Sequence, residues 1–420
     1  MPTKRRDRAM GVLFALIGIA IIYLFGPDAA PDQRSTFVLN IVTKSPPIPV
    51  PDLVLPTRTT LYALGLLCAF AGGWQLVRGF KAVNAVLGTL LLVFVFAFLT
   101  WAARGKSFSL TGMLVSTLLR ATPITLGALS GVWCERSAVI NIAIEGMMLS
   151  AAFTSVIVSS AAQNLWGLGP TTGLLLGLIV ALLTGGLLAA VLAVLAIRFK
   201  VDQIVAGTAI NIFAVGLTSF LSASWLATNE RLNASVNFRP IPIPLLAKVP
   251  VLGPVFFNTN LVVYLTLLLV IVTHIVLFYT RWGLRSRAVG EHPKAADTLG
   301  INVFRTRYVN VIIGGCIAGL GGAYFTLGSV GRFDEVMTAG KGFIGLAAMI
   351  FGKWNPFGGF AASLIFGLAD SLQTKLAILK VPIPSEFLLM APYLATMITL
   401  AGIVGRAIPP AADGQPYEKA

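Results

Sequence analysis

The sequence predicts an all-α protein that crosses a membrane many times, and three observations carry that expectation. Hydrophobic residues make up 56% of the 420 positions and charged residues only 11%, where a soluble domain has roughly 45–50% and about 25%. The apolar residues gather in blocks long enough to span a bilayer, because a helix needs about 20 of them to cross roughly 30 Å of hydrocarbon. The basic residues are scattered through short connections between blocks, as the positive-inside rule requires.

Taken in order, spans are expected at 10–25, 60–77, 82–102, 112–132, 141–161, 171–197, 203–227, 261–280, 308–329, 357–374 and 386–404. A shorter run, 342–352, reads as a half-helix or re-entrant piece, so the expected count is roughly eleven or twelve segments. They must be helices, since lipid offers no partner to an exposed backbone group. Lys4, Arg5, Arg6 and Arg8 place the N-terminus in the cytoplasm, and Arg78, Lys81, Arg198 and Lys200 fall on later cytoplasmic turns. The loop 281–307 is the strongest anchor, with Arg281, Arg285, Arg287, Lys294, Arg305 and Arg307 against Glu291 and Asp297. The Pro-rich, nearly charge-balanced loops 26–59 and 227–260 belong outside, and the tail after Arg406 inside. This distribution gives the formal charge of +15 a topological meaning, and no nucleic-acid partner is expected. The basic, apolar start resembles a cleaved signal peptide, but the many spans that follow favour an uncleaved first helix.

The chain divides by the character of its spans. Residues 1–107 hold three plain apolar helices, read as an N-terminal extension. From 108 to 406 the spans are interrupted by Gly, Pro, Asn, Glu and Asp, and a cytoplasmic tail, 407–420, follows. Irregular backbone at membrane depth survives only where protein buries it or it lines a watery cavity. Two such breaks stand out: Cys134 to Gly146, and Thr338 to Gly342 followed by a short apolar run and Gly352-Lys353-Trp354-Asn355-Pro356. Paired breaks in early and late halves point to a transport site.

Glu135, Asn141, Glu145 and Asn355 in these breaks are candidate solute-pathway residues. Asn141 and Glu145, four apart, would share a helix face. A carboxylate within a span costs about 2.5–3.5 kcal/mol unless it finds a partner, and Arg136 could supply one. Glu145 therefore reads either as a structural tie or as part of the pathway. Gln203, Gly207 and Asn211 recur every four residues, continued near that face by Thr218 and Ser222. Amides donate and accept, which suits a neutral polyhydroxy or heterocyclic solute, though such residues also glue membrane helices together. Asn310, Gly314, Ala318 and Gly322, with Gly315 and Gly319, favour close helix packing.

The loop 281–307 carries the sharpest local signal. Pro293 suits a first helical turn, Ala295 and Ala296 favour helix, and Gly300 stands where a C-terminal cap belongs. A short helix with small residues on one side fits a groove on a partner, with Glu291, Ala295, Ala296 and Gly300 as its candidate contacts. Other chemistries are not favoured. Gly105-Lys106-Ser107 has Thr100 where a phosphate-cradling loop needs its first Gly. Two histidines exclude a His-rich metal site, and His274, inside an apolar run, reads as a packing residue. Cys68, Cys134 and Cys316 read as small buried hydrophobes. No cofactor and no enzymatic activity are expected.

Three stretches resemble a known family, the ABC-importer permeases of the branched-chain amino acid, ribose and nucleoside superfamily. They are Ala121-Thr122-Pro123 with Glu135 to Leu149, Ala288 to Val303, and Met337 to Ile344 with Phe351 to Pro356. The nucleoside and simple-sugar branch fits best. The resemblance implies a type II importer-like permease core in a bacterial plasma membrane, translocating nucleosides, purine nucleosides above all, or simple sugars. It also implies a second homologous permease, an ATP-binding cassette subunit docked on the coupling loop, and an extracytoplasmic substrate-binding lipoprotein. The rival reading is an ion-gradient-driven secondary transporter, for which Glu145 and Asp370 are the plausible buried acids.

Overall fold

The computed structural model describes residues 5–40, 48–379, 381, 387, 390 and 408–419. Fourteen helices follow one another among these residues. They are α1 (Arg5–Ala20), α2 (Thr57–Val77), α3 (Val83–Ala102), α4 (Leu110–Glu135), α5 (Ile144–Asn164), α6 (Pro170–Ala193), α7 (Gln203–Leu221), α8 (Leu252–Phe256), α9 (Leu261–Tyr279), α10 (Arg281–Glu291), α11 (Pro293–Thr298), α12 (Val303–Phe325), α13 (Lys341–Phe351) and α14 (Pro356–Ile378). Nine of the described helices are long and apolar enough to cross a membrane, and α13 is a shorter apolar helix, as expected for 342–352. The stretch expected to span at 357–374 is helical, as α14, but is not one of those nine. The one at 386–404 lies outside the described residues, apart from 387 and 390.

The chain forms two units, one comprising the described residues of 1–115, 244–256 and 372–388 and the other the rest, with boundaries inside α4 and α14. In the first unit α1, α2 and α3 pack around Phe14, Ile21, Leu61, Cys68, Leu90 and Trp101. This unit also holds strands that the hydropathy pattern did not announce. β1 (Arg34–Val38) pairs antiparallel with β2 (Leu53–Pro56) and parallel with β3 (Ser107–Ser109). Ser35 anchors the sheet: its hydroxyl lies 2.8 Å from that of Thr57 and donates to the Thr100 carbonyl at 2.7 Å. A second pair, β4 (Ile241–Pro242) with β5 (Asn258–Thr259), lies in the expected loop 227–260.

In the second unit, burial separates central from peripheral helices. Over their most apolar windows α5, α12 and α4 are 83%, 72% and 67% buried, against 33–39% for α6, α7 and α9. The central three carry most of the buried polar residues; the peripheral ones expose apolar side chains such as Leu183, Phe213 and Ile271, as lipid-facing helices can. Glycine sets how closely α12 approaches its neighbours. A Cβ on Gly319 would lie 2.2 Å from the Ala181 carbonyl oxygen of α6, and one on Gly322 2.2 Å from that of Met148 on α5. The stripe of small residues therefore packs backbone against backbone, as its spacing suggested.

Pro123 sits inside α4. It has no N–H, so the Leu119 carbonyl loses its helical partner. The Tyr324 hydroxyl of α12 donates to that carbonyl at 2.7 Å, which satisfies it at membrane depth.

Gly315→Ala tests this packing, because its Cβ would stand 2.2 Å from the Ala189 Cβ. It is expected to destabilise the protein by about 1–3 kcal/mol in thermal unfolding in detergent. Gly216→Ala on α7, with nothing within 4 Å of its Cβ, should not.

Candidate functional site

The two sequence breaks meet, and two carboxylates make the junction. Glu145 stands in the first turn of α5 and is buried. Its Oε1 accepts from the Thr338 hydroxyl at 2.6 Å and the Gly340 N–H at 2.8 Å, and its Oε2 from the Gly342 N–H at 2.7 Å. One buried carboxylate thereby lies at the starts of both α5 and α13. The unpaired N–H groups and positive dipole ends of both helices favour a negative charge there. A Cβ on Gly342 would fall 2.7 Å from the Glu145 backbone, so only glycine admits this approach.

At the other end of α13 the roles repeat. The Trp354 indole N–H donates to Glu135 Oε2 at 2.6 Å, and the Arg136 Nε donates to the Trp354 carbonyl at 3.0 Å. With 11 residues, α13 is about 16 Å long, half a bilayer, and each end is held by one side of the first break. Arg136 is thus not the partner of Glu145; it reaches the late break instead. Asn141 and Glu145 do not share a helix face either, because α5 begins only at Ile144. Bonded to Trp354, Lys353 and the α7 amides, the segment 136–143 forms turns and irregular chain rather than helix.

The α7 amides serve the same junction. Asp202 caps α7 by accepting from the Ile204 and Val205 N–H groups, which aims the next residues at the break. Gln203 Oε1 accepts from the Ile140 N–H at 2.7 Å. Asn211 Oδ1 accepts from the Gly146 N–H at 2.7 Å, and its Nδ2 donates to the Ile142 carbonyl at 2.9 Å. Both amides therefore satisfy backbone that the break leaves without helical partners. Asn141 is fully buried beside Cys134, with its Nδ2 3.4 Å from the Cys134 Sγ. Asn355 caps α14, its Oδ1 accepting from the Phe357 N–H at 3.0 Å. Of the six pathway candidates, Glu135, Asn141, Glu145, Gln203 and Asn211 converge on the first break, and Asn355 stands beside Trp354.

A cavity of about 430 Å³ lies between α5, α6 and α7, lined by Phe153, Ile157, Leu187, Phe213, Leu221 and Trp225 among others. It contains none of those six residues. Ser150, Thr154, Thr184 and Thr218 are the hydroxyl-bearing residues that line it. Asp370, the other acid singled out, forms ion pairs with Arg120 and, at 2.7 Å, with Lys341 at the start of α13. His274 packs against Phe278, Tyr279 and Phe357 with ring centroids 4.7–5.6 Å away.

The connection between α9 and α12 folds as two helices, α10 and α11. Pro293 opens α11, the His292 Nδ1 accepts from the Ala295 N–H at 3.1 Å, and Gly300 adopts φ +79° at its end. Ala296 is only 2% exposed and packs with Val289, Val303 and Tyr417, so it faces its own chain. Ala295, Thr298, Leu299 and Gly300 face outward, with Leu299 80% exposed. The Glu291 carboxylate accepts from the Ala411 N–H at 3.1 Å.

Sequence reasoning missed Thr338 and Trp354 as partners of the two carboxylates, and it missed the strain. Among the described residues eight non-glycine residues have positive φ; Ala138, Ala339, Lys353 and Trp354 of these lie in the two breaks, and Val336 just before the second. Such backbone costs about 1–3 kcal/mol per residue and persists because the ties above over-determine it. Glycine would have signalled these positions; alanine, valine, lysine and tryptophan do not.

Glu145→Ala is expected to leave three buried donors unpaired and to destabilise the protein by about 3 kcal/mol or more. Hydrogen exchange should rise across 338–346 while α9 stays protected; equal protection in both would refute the tie.

The family model of the branched-chain amino acid transport system permease component matches residues 113–404. The guanosine ABC transporter permease protein NupQ of Bacillus subtilis (strain 168) is 42% identical over 72% of this chain and 95% of its own length. The nucleoside ABC transporter permease protein NupC of Lactococcus lactis subsp. cremoris (strain MG1363) is 40% identical over 73% of this chain and 96% of its own. NupP, also a guanosine ABC transporter permease protein of Bacillus subtilis, is 25% identical over 77% and 84% respectively. No solved structure matches. The first 112 residues lie outside the family match, while the tied breaks, the α7 amides and the α10–α11 loop all lie within it. This chain is a multi-pass membrane protein belonging to the branched-chain amino acid transport system permease family of ABC transporters.

Proposed function

We propose that the chain is the membrane-spanning permease subunit of an ATP-driven importer of nucleosides, purine nucleosides foremost. The observation that carries the reading is the joining of two broken membrane segments through Glu135 and Glu145. Such broken helices let one half of a bundle rock against the other around a central path. The names of the relatives at 40–42% identity supply the solute class.

On this reading α10 and α11 face the cytoplasm and dock on an ATP-binding cassette subunit, and both termini lie on the same side of the bacterial plasma membrane. The outward residues Ala295, Leu299 and Gly300 meet that partner. Glu291 and Ala296 hold the helices in place from within. A second, homologous permease completes the translocation path, and an extracytoplasmic lipoprotein delivers the solute. The core extends through 108–406 and the first three helices are an extension of it. Glu135, Asn141, Gln203, Asn211 and Glu145 shape the path by holding its broken backbone. Ion-gradient coupling is disfavoured on the same ground: a carrier acid must exchange its ion, and Glu145 and Asp370 are each engaged by several fixed donors.

Cells carrying the gene should take up labelled guanosine, and the uptake should stop on ATP depletion and withstand an uncoupler. Glucose and leucine serve as competitors to place the solute class. Collapse with the ion gradient at full ATP would sink the proposal. Leu299→Asp should cut uptake by about tenfold or more, as loss of a central docking anchor does, without lowering the amount of protein in the membrane.

A further inference from the structure

The segment 408–419 follows the permease helices in sequence and lies across the base of the second unit. Its contacts reach four separate elements. The Ala411 N–H donates to the Glu291 carboxylate and the Ala412 N–H to the Gly290 carbonyl at 3.0 Å, both on α10. The fully buried Arg307 on α12 donates from Nη1 to the Gln415 carbonyl at 3.0 Å. Tyr417 is 5% exposed, lies tilted against Phe304 with ring centroids 5.4 Å apart, and completes the apolar cluster of Val289, Ala296 and Val303. Glu418 forms an ion pair with Lys200 at the α6–α7 corner.

The same segment touches the first break. A Cβ on Gly414, whose φ is +74°, would fall 2.7 Å from Ile140 Cδ1, and Asp413 stands against Glu135 and Arg307. Gly290 is wedged between the two: its Cβ would meet the Arg136 carbonyl oxygen at 2.4 Å and Pro410 Cβ at 3.5 Å. A polar, proline-rich segment has no intrinsic reason to be ordered. Here a buried tyrosine, a buried arginine's bond and two backbone bonds hold it.

We propose that segment 408–419 is a positioning strap that binds the coupling helices α10 and α11 to the first break, so that a push on α11 reaches the tied breaks as one movement. Without it, among the described residues, α11 is joined to the membrane helices by the chain at either end and by its own small cluster. The inference rests on the permease reading above.

The test uses the whole transporter, permease with its ATPase, in proteoliposomes, comparing the wild type with Tyr417→Ala and Tyr417→Phe. All three should retain the ATPase subunit. Tyr417→Ala should lower the maximal guanosine uptake rate at least about fivefold with an unchanged KM. Tyr417→Phe, which keeps the ring in the cluster, should recover most of it. ATP-driven uptake at the wild-type rate in Tyr417→Ala overturns the strap and leaves the permease reading standing. A wild type without ATP-driven uptake overturns that reading itself.

Asp413→Asn gives a second measurement that preserves volume. Burial pushes the Asp413 carboxyl up to about 6, against opposing help from its hydrogen bonds and Arg307. The groups facing it or its neighbours are Glu135, Arg136, Arg287, Glu291, Arg307 and Tyr417. A raised carboxyl pKa favours the docked segment in full below the ordinary carboxylate value, and that advantage is lost as pH rises through about 6. Solute carried per ATP should therefore fall in the wild type between about pH 5 and pH 8 and stay level in Asp413→Asn. The same pH dependence in both chains overturns the strap.

Discussion

Glu145 is a negative charge inside a membrane protein, and the second unit depends on how that charge is satisfied. Among the described residues no cation forms an ion pair with it. Three donors from the late break converge on it, two of them backbone N–H groups at the start of α13, and it stands itself at the start of α5. A helix start exposes several unpaired N–H groups, and two starts meeting at one carboxylate satisfy both sets. The insertion cost of about 2.5–3.5 kcal/mol for a carboxylate is offset by interactions that exist only when the halves of the chain, nearly two hundred residues apart, are assembled. The charge therefore specifies the assembly as much as it stabilises it.

The remainder of the junction follows from that contact. With the start of α13 fixed, its far end falls where Trp354 reaches Glu135 and Arg136 reaches the Trp354 carbonyl. The backbone between Arg136 and Ala143 is then held away from helical geometry, and Gln203 and Asn211 of α7 supply the bonds that a helix would have made internally. The strained residues gather in the same places, since backbone of low intrinsic stability persists only where many ties fix it. Dense ties at two points with irregular chain between them suit segments that must shift as units rather than bend continuously.

Much of this was legible from residue types. Long apolar blocks gave the helices because lipid leaves no other choice for the backbone: α5, α6 and α9 begin and end close to their blocks, while α7 stops at Leu221, short of the end of its block, and α12 begins at Val303, ahead of its own. Pro293 and Gly300 bounded α11, because one lacks an N–H and the other tolerates φ +79°. The small-residue stripe on α12 announced close packing. The sheet of β1, β2 and β3 was hidden, since its strands are short and pair across long intervals, and pairing partners are not written in local periodicity.

What the sequence determined by itself was the membrane, the helices, the two breaks and the loop between α9 and α12, all of which rest on local composition and on backbone chemistry confined to a few residues. What only the tertiary structure decided was who meets whom. Glu145 has Thr338 and Gly342 rather than Arg136, Ala296 turns inward while Leu299 turns out, and Asn355 caps a helix. Each of those outcomes depends on side-chain direction and on contacts between residues far apart in the chain. A hydrogen bond between such residues leaves no trace in spacing or periodicity, because its geometry exists only once the helices that carry it have packed.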